Sequence, residues 1–150
     1  MLDLRPARLD DPDALLLTAE VQRYYVEVYG GEDEDPIAPE EFTAPHGGFL
    51  LGYADGVPVA MGGWSFLDDA TAKVRRMYVR EAVRREGYGA VLLDRLEADA
   101  RAAGARRMAL TTGEPQVAAV RFYRARGYDD VPAFGFYADE PRSIHLGKAL

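Results

Sequence analysis

Gly87 and Gly89 stand behind an arginine in the run Arg84-Arg85-Glu86-Gly87-Tyr88-Gly89-Ala90, the densest concentration of chemically suggestive residues in the chain. An extended segment, Ala72 to Val79, leads into it, and a helical pattern on Leu92, Leu93, Leu96, Ala100 and Ala103 leads out. At such a junction the first backbone N–H groups of the helix have no carbonyl partners and the helix dipole is positive, so both favour an anion. Glycine lets the backbone approach a phosphate with no Cβ in between. On these residues alone, an anion cradle and a plain structural turn both stand. No Lys-Ser/Thr pair follows the glycines, which excludes a nucleotide P-loop, and the third glycine of a dinucleotide fingerprint is missing. With no cysteine in the chain, a thiolate metal site, a disulfide and a cysteine nucleophile are ruled out. His46 and His145 are too few for a three-histidine centre, so no metal is expected.

The elements that must position this junction read as one α/β domain spanning residues 1–150. Hydrophobic residues make up 48% and charged residues 29% of the 150, a globular composition. A chain of this length buries roughly 68–70% of its unfolded surface, enough for a real core. Leu2 and Leu4 alternate with charged residues in a short strand. Asp11-Pro12-Asp13 opens a helix that Gly30-Gly31 stops. A polar loop over 32–48 carries Glu32 to Asp35, with a short helix expected near Glu40-Phe42. Asp55-Gly56 joins two β segments as a two-residue hairpin. Arg107 to Thr112 reads as a strand, Pro115 opens a helix that Gly127 stops, and Ser143 to Leu146 alternates as a last strand.

Charge divides along the chain. The net charge is −7, yet residues 75–126 hold 12 arginines against 6 acidic groups. That local cationic zone suits a small phosphorylated molecule better than a long nucleic acid, which usually meets a more basic domain, so no nucleic-acid partner is expected. No apolar run reaches the ~20 residues of a membrane span, and the N-terminus lacks a signal-peptide pattern. A soluble cytoplasmic protein with no membrane partner is the expectation.

Val74-Arg75-Arg76-Met77-Tyr78-Val79 followed by Arg84-x-x-Gly87-x-Gly89-Ala90-x-Leu92-Leu93 resembles the acetyl-CoA motif of the GNAT superfamily of N-acetyltransferases. Gln116-x-x-Ala119-x-x-Phe122-Tyr123-x-x-x-Gly127-Tyr128 is similar to that family's following helix, in the expected order. The resemblance implies an α/β fold of the α+β type: a mixed central sheet of about six to seven strands, about four flanking helices, and splayed strands at the cofactor site. It implies acetyl-CoA as acetyl donor. Main-chain groups of Met77, Tyr78 and Val79 would meet the pantetheine arm and the acetyl carbonyl. The backbone from Arg84 through Arg85, Glu86, Gly87, Tyr88, Gly89 and Ala90 would hold the pyrophosphate, and Gln116 would contact the cofactor or the neighbouring loop.

Tyr123 matches a tyrosine that in many relatives points at the coenzyme sulfur. With a pKa near ~10 it is protonated at neutral pH and can donate to a departing thiolate of pKa ~8.5. The base that must deprotonate an amine, a task equivalent to ~4.6 kcal/mol at pH 7, is left unassigned. Lys73 stands where several relatives carry a glutamate, and Glu27 and Glu114 are candidates only. The acceptor is a small-molecule or peptide amine whose charge stays open. Tyr24, Tyr25, Tyr29, the Glu32–Asp35 run, Phe134, Phe136 and Tyr137 fall where the family shapes its acceptor pocket, and the acidic run would suit a cationic amine if it is not simply a solvated loop. Arg75 and Arg76 would instead suit a carboxylate. A non-catalytic acyl-CoA sensor and an O-acyl or longer-chain acyltransferase are the competing readings. Many relatives dimerise, so a homodimer belongs among the expectations, whereas His46 and His145 are assigned no role.

Overall fold

The computed structural model describes residues 1–150. Seven strands form one sheet in the order β1-β2-β3-β4-β5-β7-β6: β1 (Asp3–Pro6), β2 (Gly47–Ala54), β3 (Val57–Phe66), β4 (Thr71–Val79), β5 (Arg107–Gly113), β6 (Asp129–Asp130) and β7 (Ser143–Ala149). Three α-helices accompany it: α1 (Pro12–Tyr29), α2 (Tyr88–Ala102) and α3 (Val117–Ala125). About four helices were expected. The remaining helical stretches, Pro39–Phe42 and Glu81–Val83, are single 3-10 turns too short to propagate as α-helix. The first of these is the short helix expected near Glu40-Phe42.

Local chemistry accounts for the boundaries. The Asp11 carboxylate accepts from the Asp13 N–H at 3.0 Å, Pro12 sits in the first turn of α1, and Gly30 ends that helix in the left-handed conformation. Asp55 and Gly56 both have positive φ, 52° and 77°, the type I′ geometry that matches strand twist in the β2–β3 hairpin. Both sheet faces are covered, so the consecutive residues Phe49 to Gly52 of β2 are all buried. Phe49 and Leu51 pack under α1 with Leu17, Val21 and Phe42, while Leu50 joins Leu92, Leu93 and Leu96 of α2. α3 adds Tyr123 to that second cluster.

Two irregularities in β4 make the site. All neighbouring strands pair antiparallel except β4 and β5, which run parallel and pair only at Thr71–Lys73 with Arg107–Ala109. Beyond Lys73 the two strands splay. On its other edge β4 carries a bulge: Met61 pairs with Tyr78 and Gly63 with Arg75, so Arg76 and Met77 together oppose Gly62. Arg76 takes a φ of +57°, which is uncommon for a residue with a side chain.

Candidate active site

The turn between β4 and α2 concentrates unsatisfied donors. Arg84 N–H still closes a turn onto Glu81 at 3.2 Å, and the next main-chain bond is Val91 N–H to Gly87 C=O, also 3.2 Å. From Arg85 to Ala90 no backbone N–H donates to a main-chain carbonyl. Gly87 caps α2 with φ +80°, and a Cβ built on it would meet no atom within 4 Å. The backbone is therefore bare where the donors converge, at the positive end of a 15-residue helix. Arg85, Glu86 and Gly87 are exposed, and Tyr88, Gly89 and Ala90 are half-buried. Phe122 and Met77 lie beside Gly89 and wall the cradle toward the sheet.

Not every side chain there faces the cradle. Arg84 Nε donates to the Val79 carbonyl at 2.9 Å, so that arginine bridges the end of β4 to the turn. The Tyr88 hydroxyl accepts from the N-terminal ammonium at 3.3 Å. The Tyr78 hydroxyl donates to Glu20 at 3.1 Å, and Glu20 is also held by Arg80. Those hydrogen bonds, Arg80's foremost, keep the Glu20 carboxyl below its ordinary pKa. They anchor the end of β4 to α1, and the main-chain edge of Met77, Tyr78 and Val79 lies past the last pairing with β5.

Tyr123 reaches the splay from the opposite face. Its ring packs edge-on to Phe122 and Tyr128 with centroids 5.2 and 5.7 Å away. The residue is buried and lines a cavity of about 120 Å³ between β4 and β5 that Arg76, Met77, Tyr25 and Gln116 also line. Burial, reinforced by Tyr25, pushes the hydroxyl pKa well above its usual value, so it stays protonated at any physiological pH.

A larger outer cavity of about 290 Å³ adjoins that inner one, with shared walls at Tyr25, Asp33, Thr111, Thr112, Gln116 and Tyr137. α1 supplies Tyr25 and Tyr29. A Cβ on Gly113 would sit 2.3 Å from the Tyr29 hydroxyl, so glycine there lets Tyr29 cross β5 and accept from Gln116 Nε2 at 2.7 Å. Gln116 thus lines both cavities and is tied to α1. The C-terminal segment closes the far side, where the Tyr137 hydroxyl donates to Asp33 at 2.7 Å and accepts from the Glu34 N–H at 2.9 Å. Burial and Asp33 push the Tyr137 pKa up to about 12; the same two causes, in the same order, push Tyr25 up to about 12.

The acidic run after α1 is not a uniformly solvated loop. Glu32 and Glu34 are exposed, but Asp33 and Asp35 turn inward. Asp35 lies 3.4 Å from both Lys73 and Arg75, and Asp33 lies 3.9 Å from Arg75. Of the base candidates, Glu27 and Glu114 are exposed and line neither cavity. Asp33 lines both. Tyr24, Phe134 and Phe136 line neither, whereas Tyr25, Tyr29 and Tyr137 do. His145, given no role from sequence, is buried on β7, where its Nδ1 lies 3.2 Å from the Thr111 hydroxyl and accepts from the Phe134 N–H at 3.4 Å.

Known proteins resemble this chain in sequence and in fold. The model of the acetyltransferase (GNAT) family matches residues 16–128. An IAA acetyltransferase of Azospirillum brasilense is 31% identical over 135 residues, covering 89% of this chain and 88% of the relative. A solved structure from Klebsiella pneumoniae, assigned provisionally as an acyl-CoA N-acyltransferase, superposes with a TM-score of 0.84 at 25% identity, covering 100% of this chain and 98% of that one. A GNAT acetyltransferase from Elizabethkingia anophelis with acetyl-CoA bound shares the fold with a TM-score of 0.69 at 16% identity, covering 99% and 98%.

Proposed function

Since the chain belongs to the GNAT acetyltransferase family, we propose that it is an N-acetyltransferase that passes the acetyl group of acetyl-CoA directly to the amine of a small molecule or peptide. The observation that carries this reading is the set of unpaired main-chain donors from Arg85 to Ala90 at the start of α2, opening onto the gap between β4 and β5. Acetyl-CoA supplies an acyl group activated as a thioester. The donors and the helix dipole suit its diphosphate, and Gly87 leaves the room that oxygens of that size need. The free edge of β4 from Met77 to Val79 can take the pantetheine arm as an added strand and present an N–H to the carbonyl oxygen as it gains negative charge.

Tyr123 completes the exchange. As the amine nitrogen bonds to the carbonyl carbon and the carbon–sulfur bond breaks, the hydroxyl donates its proton toward the departing sulfur, and the proton lost by the amine restores the tyrosine through solvent. Asp33 is the carboxylate that borders both cavities and can steer a cationic amine inward. No cysteine is present, so a ternary complex without an acyl-cysteine accounts for the transfer.

The test begins with a thermal-shift titration. Acetyl-CoA should raise the melting temperature of the wild type and not of Gly87→Asp, whose carboxylate would occupy the cradle. A panel of amines with acetyl-CoA should then release free thiol. A protein that binds the coenzyme and acetylates no amine would be a sensor, and this reading would be wrong.

A further inference from the structure

The splay holds three cations and two partners for them. Lys73 and Arg75 of β4 face Asp35 and Asp33, at 3.4 to 3.9 Å. Arg76, the bulge residue, forms no ion pair although it is only 9% exposed, and its Nε and Nη1 are buried with no hydrogen-bond partner. Its guanidinium borders the inner cavity of about 120 Å³ beside Tyr25 and Tyr123. A buried charge without a partner is costly, and a side chain held there by a left-handed backbone is held against that cost. A guanidinium N–H that finds no acceptor in the protein is a strong donor for a carboxylate brought beside it.

We infer that Arg76 is the receptor for a carboxylate carried by a reactant, and that the acceptor is an amine bearing a carboxylate, of the amino-acid class. This rests on the acetyltransferase reading and deepens it. The route from Arg76 runs past Tyr25 and Asp33 into the outer cavity, whose 290 Å³ leaves room for the rest of such a molecule. Asp33 stands where the ammonium enters, so the two ends of a zwitterion meet charges of the right sign. Lys73 and Arg75 do not compete for the carboxylate, because Asp35 lies 3.4 Å from both, which leaves Asp33, 3.9 Å from Arg75, to meet the ammonium.

The experiment compares free amino acids with their carboxamides as matched pairs, with acetyl-CoA saturating and thiol release as readout. For at least one side chain the acid should exceed the amide by about 100-fold in kcat/KM. Arg76→Gln should bring that ratio near one, and Arg76→Lys should retain part of it. Equal rates for acid and amide in the wild type overturn the inference, as does a ratio that survives Arg76→Gln. Replacing acetyl-CoA by succinyl-CoA with the amides as acceptors distinguishes the source: a gain that depends on Arg76 there would assign the carboxylate to the acyl group and overturn the acceptor assignment. If acetyl-CoA raises the melting temperature and no pair turns over, the acetyltransferase reading fails by itself. Calorimetric titration of the same acids and amides into wild type and Arg76→Gln then decides the carboxylate question: acid-selective binding lost in the variant supports it, and equal affinities refute it.

Discussion

Replacing Tyr123 by Phe removes one oxygen from a ring packed edge-on against Phe122 and Tyr128. The hydroxyl borders the inner cavity and is absent from the hydrogen bonds the protein makes internally, while the ring's contacts with Phe122 and Tyr128 would all remain. Folding stability should therefore stay within about 1 kcal/mol of wild type or rise slightly. Turnover should not. A hydrogen bond to a charged partner contributes ~1.5–3 kcal/mol, and each ~1.4 kcal/mol is tenfold in rate, so loss of the donor to the departing thiolate predicts a fall in kcat of roughly 10- to 150-fold. Acetyl-CoA affinity, which on the proposed reading depends on the main-chain donors near Gly87, should hardly change. Because burial raises the Tyr123 pKa, the wild type should show no loss of rate from ionisation of this hydroxyl below about pH 10, and the variant's pH profile should have the same shape at a lower height. Continuous thiol detection across pH, with melting curves, measures all of this. A kcat within threefold of wild type, or a matching loss in coenzyme affinity, would refute the acid role.

Two further perturbations probe the framework that holds the site. Glu97 on α2 is buried, accepts from the Tyr128 hydroxyl at 2.7 Å and pairs with Lys148 at 3.0 Å. Glu97→Ala would strand both partners, at a cost of about 3 kcal/mol, and should lower the melting temperature by roughly 6–12 °C; an unchanged melting curve would contradict the pairing. Glu20→Gln tests the clamp on β4. The Glu20 carboxyl is held below its ordinary value of 4.5 by hydrogen bonds from Arg80 and then Tyr78, so its contribution is complete above that value and is lost as pH falls through the lower folded-state value. The variant should melt about 2–4 °C below wild type at pH 7, for a partly exposed pair worth roughly 1 kcal/mol, and the gap should narrow as pH falls below 4.5 and close once the lowered folded-state value is passed.

Much of the scaffold is legible in the sequence because its signals are local. Asp11-Pro12, Gly30 and Asp55-Gly56 each impose a backbone conformation on their neighbours, and the strand-to-helix run around Gly87 carries its own geometry. What stays hidden depends on contacts between distant residues or on backbone conformations that side-chain type does not announce. Arg76 at φ +57° is one such case: the residue types around it do not announce the bulge, which for this strand only the family resemblance implies. The acidic run is another. Asp33 and Asp35 are indistinguishable from Glu32 and Glu34 by composition, and their inward turn depends on cations some 40 residues later in the chain. His145, a strand residue with no role assigned from sequence, is buried because β7 is an interior strand of the sheet, and Glu97 is buried because it finds Lys148 and Tyr128. Arg84, whose backbone the sequence reading includes in the pyrophosphate cradle, donates its N–H to Glu81 and its Nε to the Val79 carbonyl, contacts that only the close return of the turn creates.

A crystal structure with coenzyme A bound tests the central claim most directly. The diphosphate oxygens should lie within about 2.7–3.2 Å of several backbone nitrogens between Arg85 and Ala90, with the pantetheine arm between β4 and β5 and the sulfur beside the Tyr123 hydroxyl. A coenzyme seated elsewhere, with those nitrogens paired to protein oxygens, would contradict the account.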